Sequence, residues 1–526
     1  MAGRGLGQLF ARKSIEQMHA EHQGGELKKS LGALNLVLLG IGCIIGTGIF
    51  VLTGRAAAEF AGPGIMISFV ITGVLCALVA LCYSELAAAI PVSGSAYSYS
   101  YASLGEFVAW IMGVLLLLEY GVAASTVAVG WSGYTTSLLH DLGINIPAAF
   151  TAAPGVTVTD PVTGAAVAGI VNLPALVGIL AVASLLTLGV SESATANNIV
   201  VAIKVTVVVA FIIIGFFYVN PENWSPLIPE QVPAPPPGSD TSMGGQIWTA
   251  LVNVVTGQNR ETAYGVGGLI SAAAVIFFAY IGFEAVSTAG AEAKNPARDM
   301  PIGILGSLIV CTILYILTCA VLVGIVPYTE LNDPAPIAKA VNQIGLPWFA
   351  FLVKVGAFAG LSSVMLVLLY GQTRIFYTMS RDGLLPSVFA KVNPKTQTPV
   401  LNTIVVGIIA AGFAGFTSLD FLGDTTNVGT LVAFMFICLT VVYLRFTRPN
   451  LNRPFRMPTW LIVSIATLGA AMCALLVMSL LSSEHTRNFF IPYLVIGVLF
   501  YFVYGMWHSK LGKEGSSGSA HGPSAG

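Results

Sequence analysis

The amino-acid sequence predicts an all-α polytopic membrane protein. We expect twelve transmembrane helices in a 5+5 inverted repeat, with helices 1 and 6 unwound and helices 11 and 12 outside the repeat. Three observations predict it. Of 526 residues, 56% are hydrophobic and only 9% charged, whereas soluble domains carry about a quarter charged. Twelve apolar runs approach the length of about 20 residues that a helix needs to cross hydrocarbon. Two of those runs, five spans apart, are interrupted at glycines.

The runs lie near 32–53, 64–90, 104–138, 172–190, 198–220, 266–291, 301–326, 346–380, 399–417, 424–445, 458–481 and 489–508. They divide the chain into a cytoplasmic amphipathic segment (1–30), a first repeat (31–220), an extracellular loop (221–265), a second repeat (266–445), the last two helices (446–508) and a disordered cytoplasmic tail (509–526). Leu6, Leu9, Phe10, Ile15 and Met18, mixed with Arg12, Lys13 and Glu16, suit a helix lying on the membrane surface; a disordered tail is the alternative. Within 221–265, a proline-rich stretch precedes a short surface helix around Trp248.

Charge sets the orientation. With the N-terminus inside, 17 Lys and Arg fall on the inner side and 4 outside, while Lys204 and Lys354 lie within spans. The positive-inside rule therefore places both termini in the cytoplasm of a plasma (inner) membrane. The net charge of −1 carries no message of nucleic-acid binding. All seven cysteines sit in apolar runs without zinc-like pairing, so neither a disulfide framework nor a metal site is indicated. No cofactor is expected. Walker and HExxH motifs are absent from the sequence, which argues against an enzyme.

The first interruption reads Gly40-Ile41-Gly42-Cys43-Ile44-Ile45-Gly46-Thr47-Gly48-Ile49-Phe50. Glycines permit unwinding, which frees backbone groups to bind something else; Gly42 and Gly46, four apart, equally serve close helix packing. The second, Val275-Ile276-Phe277-Phe278-Ala279-Tyr280-Ile281-Gly282-Phe283-Glu284, lies at the corresponding place of the other half. Paired interruptions in inverted halves point to a transporter's central site. The half-helix after Gly48 offers amides to an anionic group, and unwound carbonyls of the sixth span suit a cationic one. An α-amino acid carries both.

These segments resemble the amino acid–polyamine–organocation superfamily. Leu27-Lys28-Lys29 leading into the first glycine run is similar to its opening. So is Glu85-Leu86-Ala87-Ala88-Ala89-Ile90-Pro91-Val92-Ser93-Gly94-Ser95-Ala96-Tyr97-Ser98-Tyr99 with Gly105-Glu106. Phe278 to Glu284 with Glu292-Ala293-Lys294-Asn295-Pro296 resembles the cationic amino acid transporter branch, as do Gln372-Thr373-Arg374 and Met379-Ser380-Arg381-Asp382-Gly383-Leu384-Leu385-Pro386.

The resemblance implies an L-α-amino acid permease working by alternating access, proton-coupled and sodium-independent, for cationic or small neutral amino acids. Ile44, Thr47 and Gly48 would receive the carboxylate; Phe278, Ala279 and Ile281 would offer carbonyls to the amino group. Phe278 is either a gate or a packing residue. Lys204 would occupy a sodium position, facing Gly42 and Ser362 or Ser363; snorkelling to the cytoplasmic surface is its alternative. Glu119 would shape the substrate cavity or serve as a structural hydrogen-bonder. Glu284 is expected to brace the unwound segment, and Lys354 to snorkel. The partners implied are an amino acid, a proton and the lipid bilayer, with a small accessory membrane peptide left open. An exchanger or sensor without proton coupling, or a channel, are the rival readings.

Overall fold

The computed structural model describes residues 6–14, 31–92, 94–160, 163–189, 194–234, 242–396 and 398–511. It is overwhelmingly helical. The long helices are α1 (Ala33–Ile44), α2 (Ile65–Ala89), α3 (Glu106–Asp141), α4 (Leu173–Thr187), α5 (Ala194–Phe216), α6 (Gly265–Ile276), α7 (Pro296–Ile325), α8 (Pro347–Arg381), α9 (Val400–Phe416), α10 (Leu419–Thr447), α11 (Thr459–Leu481) and α12 (Glu484–Phe500). Nine apolar helical segments among the described residues are long enough to cross a membrane, and α1, α4 and α9 are shorter apolar helices. The architecture is that of a polytopic membrane protein. Long apolar helices satisfy their backbone groups internally, so lipid contact is tolerated on the outside.

After α1 the chain winds again through Gly48–Leu52, Thr53–Ala56 and Ala57–Ala61. After α6 it tightens into Phe277–Tyr280, breaks, and continues as Glu284–Glu292. The closest helix packing joins α3 to α8, α2 to α7, α1 to α7, α10 to both α11 and α3, and α4 to α9. Small residues permit these approaches. A Cβ at Gly113 of α3 would lie 2.5 Å from Met379 of α8, and one at Gly407 of α9 2.6 Å from Ala183 of α4.

The short helix expected around Trp248 is present as Met243–Thr256. Sequence patterning missed three small elements: the helices Ser95–Ser103 and Pro336–Gln343, and a hairpin pairing Thr157–Thr159 with Ala166–Ala168. Ahead of α1, Leu6–Phe10 forms one 3-10 turn that docks on protein. Gln8 Nε2 donates to Glu106 Oε1 at 3.2 Å and to the Met506 carbonyl at 2.8 Å, and Lys13 pairs with Asp382 at 2.9 Å. Both ends of the described chain therefore meet on one face. Ile15, Met18 and the tail beyond Leu511 lie outside the described residues.

Two sets of buried charges near the helix ends are paired. Glu85 of α2 accepts from Arg445 Nε at 2.9 Å and lies 3.3 Å from Arg453 Nε. Arg260 meets Asp424 with two nitrogens, at 2.5 and 3.0 Å.

Candidate functional site

The α1 break follows from Ile45, whose extended backbone (ψ 99°) ends the helix just before two glycines. Three of the carbonyls it releases find side-chain donors. Lys204 Nζ donates to Gly42 at 2.8 Å and to Ile45 at 3.2 Å, and the Tyr315 hydroxyl of α7 donates to Ile44 at 2.8 Å. Beyond the break, Gly46, Thr47 and Gly48 open a new helix, and the amides of a first helical turn have no intrahelical carbonyl.

The α6 break sits against it. Ile281 is extended (ψ 130°), and Gly282 takes φ +123°, a conformation that favours glycine. A Cβ there would also lie 2.8 Å from the Cys43 carbonyl carbon. The Gly282 amide donates to both oxygens of Glu284, at 3.1 and 2.9 Å. Glu284 thus braces the unwound segment. Asn427 of α10 donates to the Ala274 and Val275 carbonyls at 2.9 and 3.1 Å. On the other side of the crossing, Gly48 rests directly on the backbone of Ala279.

Between the breaks lies a cavity of about 30 Å³, room for roughly two waters and far below the roughly 300–1,000 Å³ of a loaded ligand pocket. The site is narrow in this conformation. Ile44, Gly46 and Gly48 line it from α1 and its continuation, Glu119 and Tyr120 from α3, Phe278, Ile281 and Glu284 from the α6 region, and Val364, Val367 and Leu368 from α8.

Of the residues picked from sequence, Ile44, Gly48, Glu119, Phe278 and Ile281 converge on this cavity, while Thr47 and Ala279 do not. The Thr47 hydroxyl donates instead to the Val127 carbonyl of α3 at 3.4 Å, and Ala279 is occupied by Gly48. The Phe278 carbonyl already accepts from the Ile281 amide at 3.3 Å.

Glu119 is 1% exposed, and its carboxyl shares this wall of the cavity with the carboxyl of Glu284. The nearby Thr430 hydroxyl donates to Thr426 at 3.1 Å. Its strongest electrostatic neighbour is Glu284.

Lys204 is wholly buried and turned into the bundle, which removes the snorkelling alternative. Gly42 is its partner as expected, but Ser362 faces elsewhere. The Ser362 hydroxyl donates to the Phe358 carbonyl at 2.7 Å and accepts from the Trp131 indole at 2.9 Å. Ser363, one residue on, is buried. Sequence reasoning missed Gly360, whose absent side chain makes room for the lysine stem: a Cβ would stand 2.9 Å from Lys204 Cγ. It also missed the α8 wall of Val364, Val367 and Leu368, whose facing only the packing decides. Lys354 is 4% exposed, and its ammonium reaches Asp141 at the end of α3, at 2.6 Å.

A helical bundle in which two broken helices and a buried carboxyl converge on one small cavity is the framework of a membrane permease. The chain belongs to the amino acid permease family, whose model matches residues 31–501. It is 43% identical over 509 residues to a methylthioribose transporter of Bacillus subtilis (strain 168), covering 97% of this chain and 100% of that one. Likeness to the branched-chain amino acid permease BcaP of the same organism is also 43%, over 512 residues and 96% and 100% of the two chains. The vacuolar cationic amino acid transporter 4 of Arabidopsis thaliana is 36% identical over 449 residues, 85% of this chain and 68% of that one. This chain is therefore a membrane transporter rather than an enzyme, and its superfamily resemblance holds along nearly its whole length.

Proposed function

We propose that this protein is a plasma-membrane permease that carries L-α-amino acids by alternating access, coupled to protons and independent of sodium. The observation that carries the reading is the pair of helix breaks on one cavity. Amides at Gly46–Gly48 suit an α-carboxylate because a helix start presents N–H groups and a partial positive charge. Helix 6 carbonyls and the Glu119 carboxyl suit an α-ammonium on the opposite wall, and Phe278 acts as the gate between.

The aliphatic surface of Val364, Val367 and Leu368 favours a neutral aliphatic side chain, in keeping with the named solute of the branched-chain relative. Glu119 supports a second reading, a cationic side chain. Uptake into proteoliposomes, screened over the twenty amino acids and methylthioribose with and without an inward proton gradient, separates these. Saturable uptake of neutral aliphatic amino acids is expected. Accumulation of methylthioribose alone, or uptake needing sodium, would overturn the reading.

Twelve spans with both termini cytoplasmic fit the 17-to-4 split of basic residues and the meeting of both chain ends on one face. The pairs α2–α7, α3–α8 and α4–α9 each join helices five apart, which supports two exchanged five-helix halves. A cysteine placed in the 221–265 loop should react with an impermeant maleimide from outside the cell. Reaction from the cytoplasmic side only would reverse the orientation.

Glu119 is expected to matter more for transport than for folding. Glu119→Gln keeps the shape and removes the charge, so membrane expression should persist while uptake falls about ten-fold or more, the equivalent of one charge-assisted hydrogen bond. Unchanged uptake would leave Glu119 a structural residue.

A further inference from the structure

The helix Met243–Thr256, which leads into α6, has no part in the transport reading, yet its surface is sorted into three faces. Its sequence, MGGQIWTALVNVVT, contains no charged residue. Ala250 and Val254, one turn apart, are buried where the helix packs on α6 and α11. On a wheel of 3.6 residues per turn, Gln246, Thr249, Asn253 and Thr256 fall together on one flank. Trp248, Val252 and Val255 fall on the other, 69%, 39% and 60% exposed.

A water-surrounded helix has no reason to separate an apolar flank from a polar one beyond the face it buries. A helix at a boundary does, because one flank meets hydrocarbon and the other water. The place agrees. Just past this helix, Asn259 Nδ2 donates to Ser479 at 2.6 Å and Asn259 Oδ1 accepts from Ser482 at 3.2 Å, at the end of α11 distant from the chain termini. On α11, against which this helix packs, Leu468 and Met478 are likewise exposed apolar side chains. Tryptophan is the side chain most at home at that depth.

We propose that Met243–Thr256 is an in-plane interfacial helix whose Trp248, Val252 and Val255 flank is seated in the lipid leaflet on the face opposite the termini. The occupant is lipid, not a second protein. The next residues, Asn259 and Arg260, tie to α11 and to Asp424 of α10, so the bilayer holds the entrance of the broken helix α6. This inference rests on the membrane reading but not on any substrate.

The test uses the full chain in nanodiscs. The difference in tryptophan emission between the unmodified protein and Trp248→Phe isolates Trp248. That emission should be blue-shifted and lose most of its intensity with lipids brominated near the headgroup, while iodide in the water quenches it little. Val255→Cys gives a second reading, since the seven native cysteines are buried or half-buried. An environment-sensitive dye there should be quenched by shallow spin-labelled lipid. Iodide quenching without bromolipid quenching would overturn the proposal. So would resistance to both quenchers together with cross-linking between copies of the Val255→Cys variant through the introduced thiol, which would place protein on this flank. Neither outcome would touch substrate uptake, so the transport reading stands or falls separately.

Discussion

Replacing Gly48 with leucine should abolish substrate binding. Gly48 starts the half-helix that lines the cavity, and a Cβ added there would lie 2.2 Å from the Ala279 α-carbon. Any Cβ at Gly48 drives into main chain that cannot rotate aside, so the two breaks separate and the geometry between amide and carbonyl walls is lost. Even Gly48→Ala should weaken binding strongly, because a misplacement of about 1 Å is enough to lose on the order of a hundred-fold in such sites. Binding of labelled substrate to purified protein, together with counterflow in vesicles, provides the measurement. A Gly48→Leu protein that reaches the membrane and binds with unchanged affinity would put the site elsewhere.

Lys204→Ala should eliminate accumulation driven by a proton gradient while leaving some binding or exchange. In the proposed cycle the ammonium holds the Gly42 and Ile45 carbonyls and so favours one arrangement of α1 against α5 and α8. Once neutral, it holds them less, and the bundle resets; a ligand shifts such an equilibrium only by its differential contacts in the two states. The substitution also strands two buried carbonyls, at about 1–3 kcal/mol each, so some loss of stability accompanies the loss of coupling. A membrane potential supplies about 2.3 kcal/mol per charge per 100 mV, enough for accumulation on the order of tens-fold if one proton moves with each substrate. Proteoliposomes with an inward proton gradient, and then with sodium alone, give the comparison. Undiminished proton-driven accumulation by Lys204→Ala, or sodium-dependent uptake by the unmodified protein, would return this lysine to a purely structural role.

Several features were legible before any coordinates. Hydrophobic run length marks membrane segments because hydrocarbon offers no hydrogen bonds, and glycine marks breaks because it alone tolerates the φ +123° found at Gly282. The partnership of Lys204 with Gly42 was legible through resemblance. Other features were not. Thr47 and Ala279 sit at the breaks in sequence, yet Thr47 turns to Val127 and Ala279 lies under Gly48, since position along a chain does not set the direction of a side chain. Ser362 and Ser363 are neighbours, and helical rotation of about 100° per residue sends Ser362 toward Trp131.

The sequence by itself determined that this chain is a helical membrane permease with two broken helices, because burial in lipid, backbone satisfaction and glycine freedom are local requirements written residue by residue. Only the tertiary structure decided which groups share the cavity. The Tyr315 hydroxyl capping Ile44, the Asp141 partner of Lys354, the space at Gly360 and the aliphatic wall of α8 each join residues far apart in sequence. Their meeting depends on how helices cross and rotate against one another, and that is fixed by the packing of the whole bundle rather than by any single segment.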